Sequence, residues 1–79
     1  MRRKYYVSCG NKQILLMAAS DMQACMLFFR YIDNDIPGGV VRVSERGFAE
    51  HEDDFVVITE TVIRFIVLAS DEENFKFDD

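Results

Sequence analysis

Ser20-Asp21-Met22-Gln23 fixes more of this chain's folding than any other four residues. It has the form of a capping box. The Ser20 hydroxyl accepts from the backbone N–H of Gln23, and the Gln23 side chain reaches back to Ser20. Asp21 adds negative charge at the positive end of the helix dipole. Downstream, Ile36-Pro37-Gly38-Gly39 forbids continuation, because proline removes a donor and clashes with the preceding turn. The spacing therefore predicts a helix over residues 21–34.

That helix is too oily for one dry face. Ala24, Leu27, Phe28, Tyr31 and Ile32 fall at i, i+3, i+4, i+7 and i+8, the spacing of a core stripe. Met22, Met26 and Phe29 form a second stripe at i, i+4 and i+7. A helix lying on a one-layer sheet normally keeps a polar outer face, so the second stripe needs a cover. Three covers are available: segment 60–69 of the same chain, the tail phenylalanines, or another molecule. The leading expectation is that Met22, Met26 and Phe29 form a contact surface for another molecule.

Around the helix the patterning is that of strands. Residues 4–9, KYYVSC, carry aromatic and β-branched side chains, and residues 13–18, QILLMA, follow the turn signal Gly10-Asn11. An antiparallel hairpin is expected, with a two- or a three-residue loop setting different registers. Residues 40–46, VVRVSER, alternate as a half-buried strand does. Residues 55–59, FVVIT, form a fourth strand candidate, joined to the third by a polar acidic loop from which Phe48 can fold back as an anchor. Thr59-Glu60-Thr61 favours a short helix over 60–68, although the β-branched TVIRFIVLA also suits a strand. The fold class is α+β: an antiparallel sheet of about four strands, ββαββ plus a C-terminal short helix or strand, with helix 21–34 packed on one face. Residues 1–69 form the single domain, and residues 70–79, SDEENFKFDD, form an acidic, flexible tail. In that tail Phe75 and Phe77 share a face if extended, a pattern suited to adding a strand to a sheet edge.

With 79 residues and an apolar fraction of 49%, the chain is long enough for one small core. No apolar run reaches the roughly 18 residues of a membrane span, and polar residues interrupt the basic N-terminus too early for an export signal. The expected location is the cytoplasm. Cys9 and Cys25 are then read as reduced, buried, small hydrophobes.

Charge is uneven. Residues 1–30 carry five basic side chains against Asp21, net +4, while residues 31–79 carry four against thirteen acids, net −9. The overall charge of −5 disfavours binding to nucleic acid. Two nucleic-acid readings still form the alternative class. Arg2, Arg3, Tyr5 and Tyr6 make a basic-aromatic patch of the kind that stacks single-stranded bases. Conversely, the carboxylates of 50–54 and 71–79 could imitate phosphates and occupy a nucleic-acid-binding protein.

Enzymatic chemistry finds little support. EHEDD, residues 50–54, holds the metal-ligand residue types, but its spacing fits neither an EF-hand nor a paired-histidine motif. A Ser-His-Asp combination exists on paper without a nucleophile motif. The two adjacent glycines precede no helix and cradle no phosphate. The expectation is a non-enzymatic protein-interaction module without metal or cofactor. It self-associates as a homodimer, or docks on another protein, through Met22, Met26 and Phe29, with Phe75 and Phe77 as a further contact.

Overall fold

The structure is a computed structural model that describes residues 2–33 and 36–76, with side chains through residue 69. It contains β1 (Arg3–Cys9), β2 (Lys12–Ala18), α1 (Asp21–Tyr31), β3 (Val40–Ser44), β4 (Phe55–Ile58) and α2 (Thr59–Lys76). The four strands make one antiparallel sheet in the order β2-β1-β3-β4. This is the α+β architecture expected, with α1 on one face of the sheet and α2 packed beside it.

The hairpin takes the shorter of the two loops. Cys9 pairs with Lys12 across Gly10-Asn11, which places Val7 opposite Ile14. Gly10 supplies the positive φ (+60°) that such a turn requires. Alternation then sorts the strands into two faces. Tyr5, Val7 and Cys9, Leu16 and Ala18, and Val41 and Val43 face inward and are buried. Tyr6, Leu15, Met17, Val40, Arg42, Val56 and Ile58 point the other way.

Helix α1 starts where the capping box places it. Ser20 is extended (φ −155°, ψ 167°), and the Gln23 N–H donates to its Oγ at 3.2 Å. The Gln23 side chain reaches one residue further back than expected, accepting from the Ala19 N–H at 2.6 Å. The helix ends at Tyr31, short of the expected residue 34. The Ile32 N–H bonds to Phe28, the Asp33 N–H bonds to Arg30, and Asp33 turns into the left-handed region at φ 63°. Aspartate is among the few residues that tolerate this conformation.

The buried side of α1 is rotated from the expected stripe. Ala24, Cys25, Phe28 and Phe29 are buried, whereas Leu27 is half-buried and Tyr31 is 67% exposed. Phe28 and Phe29 meet edge to face, 5.2 Å between centroids. The rotation has a physical cause: α1 packs on two neighbours, the sheet beneath and α2 alongside, so its apolar arc is wider than one sheet would bury. Val62, in the first turns of α2, is fully enclosed in the same core.

Segment 59–68 is helical and longer than the short helix expected. Thr59 is buried and turns the chain by bonding to the loop before β3 rather than by capping with its side chain. Its N–H donates to the Gly39 carbonyl at 2.9 Å and its hydroxyl to the Gly38 carbonyl at 2.8 Å. The backbone of residues 70–76, expected as extended or flexible tail, continues α2 to Lys76. Residues 77–79 lie outside the described residues.

Candidate functional site

Both helices lie on one face of the sheet, so its other face has no second layer. What covers that open face is the loop 47–54. Phe48 packs edge to face on Tyr6, 5.1 Å between centroids, as the anchor its position suggested. Lys4 extends over the Tyr6 ring at 6.0 Å. Arg42 reaches Glu50 at 3.3 Å and Asp54 at 3.7 Å.

Asp54 is the fastener of this loop. Its side chain is almost fully buried, and one oxygen accepts from the backbone N–H of His51 at 2.9 Å. Burial pushes the Asp54 carboxyl up, but the His51 N–H, the Ser44 hydroxyl, the His51 ring and Arg42 together hold it below the usual carboxylate range. The Ser44 hydroxyl approaches His51 Nδ1 at 3.5 Å, and Asp54 approaches the same nitrogen at 3.4 Å. A catalytic relay needs hydroxyl and carboxylate on different ring nitrogens. Here both converge on one, and Ser44 Oγ also accepts from the Arg46 N–H at 3.0 Å. The trio ties a loop down.

Apart from Glu52, the acidic side chains of 50–54 are similarly spent within the chain. Glu50 and Asp54 face Arg42, and Asp53 pairs with Arg46. Among the described residues, no three His, Cys, Asp or Glu side chains are placed to hold a metal ion.

Either side of the covered strip, the open face carries bare apolar side chains. On β2, Leu15 is 50% and Met17 48% exposed. At the other end are Val40, Val56 (55%) and Ile58 (60%). This second group continues around the sheet edge into a concave groove of about 440 Å³ lined by Ile36, Gly38, Gly39, Ile58 and Ile63. Phe65, Val67 and Leu68 of α2 are also exposed.

The residues singled out from sequence are placed differently. Phe29 is fully buried, and Met22 and Met26 are half-buried against the core, so these three do not form an open contact surface. Their cover is the chain's own sheet and second helix. Phe75 falls in the helical backbone of α2 rather than in an extended strand, and Phe77 lies outside the described residues. Tyr5 and Tyr6 point to opposite faces, Tyr5 is fully buried, and Arg3 pairs with Glu45 at 3.4 Å. Arg2, Arg3, Tyr5 and Tyr6 therefore make no common stacking platform.

Two buried groups complete the chemistry. The Tyr5 hydroxyl has no hydrogen-bond partner among the described residues and borders a cavity of about 120 Å³ that Asp21, Ser44 and Asp54 also line. Burial raises the Tyr5 pKa, Arg3 lowers it, and the charges of Asp21 and Glu45 raise it further, Asp21 also as the nearest acceptor for the hydroxyl although outside hydrogen-bond geometry. Cys25 is pushed up to about 12 by burial, with smaller contributions from Asp21 and Cys9. Both thiols are free and buried, as their reading as small hydrophobes requires.

Compared with known proteins, the chain matches no family model, no curated protein and no solved structure. Among the described residues, no helix is long and apolar enough to cross a membrane.

Proposed function

We propose that this chain is a protein-interaction module that associates with a second copy of itself. The observation that carries this reading is the placement of the exposed large hydrophobes. Apart from Tyr31 and Ile36, those among the described residues gather on the sheet face that has no second layer and on α2, instead of scattering singly as on an ordinary surface. Leu15, Met17, Val40, Val56 and Ile58 share that face. Each recovers roughly 1 kcal/mol if a partner removes its remaining apolar surface from water. The contact surface proposed is thus the open side of the sheet, in place of the Met22, Met26 and Phe29 face of α1.

Charge modulates this association. Each copy carries −5, so two copies repel at long range. Added salt screens that repulsion and strengthens contact through apolar surface. An electrostatically held nucleic-acid complex responds in the opposite sense.

Coupling between stability and concentration tests the reading. A self-associating chain unfolds at a urea midpoint that rises with protein concentration, because only the folded form associates. We expect such a rise over a hundredfold dilution series, larger in ~0.5 M than in ~0.05 M NaCl. A midpoint independent of concentration at both salts would remove the proposal.

A further inference from the structure

We infer that the free edge of β2 is the self-recognition element: two copies join by antiparallel pairing of β2 about Leu15, fusing their sheets into one. This rests on the self-association proposed above and narrows its contact to the β2 end of the open face, where Leu15 and Met17 lie.

Backbone direction gives the first argument. In a hairpin with a two-residue loop, the pair flanking the loop exchanges both hydrogen bonds, and bonded pairs then alternate. With Cys9 opposite Lys12, the residues turned toward β1 are Lys12, Ile14, Leu16 and Ala18. The same alternation continued through β1 and β3 makes Val40–Ile58 a non-bonded pair, as the bond from the Thr59 N–H to the Gly39 carbonyl requires. The N–H and C=O groups of Gln13, Leu15 and Met17 therefore point off the edge. Among the described residues, nothing bonds to them.

The second argument is that the usual edge defences are sparse. Natural edge strands carry prolines, bulges, charged side chains (lysine above all) or short lengths that discourage pairing. β2 is seven residues long, pairs with β1 in unbroken register, contains no proline, and has Lys12 at one end as its sole charge. The opposite edge, β4, has four residues and runs straight into α2.

Self-complementarity is the third. A symmetric register centred on Leu15 uses all three outward residues of each copy, forming about six new backbone hydrogen bonds. It sets Leu15 against its own counterpart and Gln13 against Met17 on the open face. Ile14 meets Leu16 on the other face, and Lys12 meets Ala18, so no like charges oppose each other. The half-exposed Leu15 and Met17 of both copies then merge into one apolar strip.

Residue-resolved amide exchange, measured by NMR from low micromolar to millimolar protein, reads this pairing directly. We expect the amides of Gln13, Leu15 and Met17 to slow by at least about tenfold as concentration rises. Ile14 and Leu16, already bonded to β1, should change far less. Leu15→Lys places two ammonium groups in opposition and should weaken association at least about tenfold. Tyr31→Lys, at an exposed position of α1 outside the open face, should leave association within about twofold of wild type; circular dichroism confirms that both variants fold. An associating protein in which these amides stay fast, or in which Leu15→Lys weakens association no more than Tyr31→Lys does, overturns the β2 assignment and leaves self-association standing. A protein monomeric throughout the range overturns both.

Discussion

A β-carbon built on Gly38 would lie 2.8 Å from the amide nitrogen of Gly10, so the turn after β1 and the loop before β3 meet backbone to backbone. Gly10 is constrained twice, since its φ is +60° and a β-carbon there would collide with the Pro37 carbonyl. Gly39 has open space around its β-position. We expect Gly39→Ala to change stability by less than about 0.5 kcal/mol. Gly38→Ala should cost about 1–3 kcal/mol and Gly10→Ala more, since strain at positive φ adds to the clash. Urea melts of the three variants check that ranking, and equal effects would contradict the packing described.

Tyr5 fills the core, yet its hydroxyl is unpartnered. An unsatisfied buried hydroxyl is a desolvation cost without return. Tyr5→Phe should therefore stabilise the protein by about 1 kcal/mol, read as a higher urea midpoint at unchanged slope. A clear loss of stability would show that the hydroxyl bonds to something in the adjoining cavity.

Cys25 links burial to alkaline pH. Its folded pKa of about 12 lies above the ordinary thiol value of 9.0. The folded state thus holds its proton where the unfolded state releases it. The stabilisation is complete below pH 9 and is lost as pH rises toward 12. Comparison with Cys25→Ala isolates the effect. The stability difference between wild type and variant should narrow above pH 9, and native Cys25 should resist thiol reagents at pH 8 until the protein unfolds.

Asp54 works in the opposite direction. Its carboxyl is held below the usual range, so the contribution it makes is present above that range and lost as pH falls through the lowered value. Asp54→Asn should remove that part of the acid sensitivity. It should also loosen the loop, seen as faster amide exchange over residues 48–54 at neutral pH. An unchanged acid transition would show that the loop is held by Phe48 on Tyr6 instead.

Much of this fold was legible because local chemistry decided it. Ser20 and Gln23 marked the start of α1, and Gly10-Asn11 marked a hairpin whose register needed only the loop length. The alternation in VVRVS separated Val41 and Val43 from Val40 and Arg42 correctly. The rotation of α1 was not legible. Its residues are apolar nearly all round, and the choice of Cys25 and Phe29 over Leu27 and Tyr31 depends on α2, an element distant in sequence. The burial of Phe29 and half-burial of Met22 and Met26 have the same cause. A stripe that looks surplus on one helix is covered when a second helix packs beside the first. The clue to the open face lay in QILLMA, where apolar residues occupy both faces of a strand. Without the strand order, nothing in the sequence told a central strand, buried on both sides, from an edge.

The central claim is the proposal that the chain associates with a second copy of itself. Sedimentation equilibrium across a concentration series measures this most directly. The expected result is a weight-average mass climbing from 9.2 kDa toward twice that value as protein rises through tens of micromolar, with the climb moved to at least about tenfold higher concentration by Leu15→Lys. A mass fixed at 9.2 kDa across the whole series would contradict it.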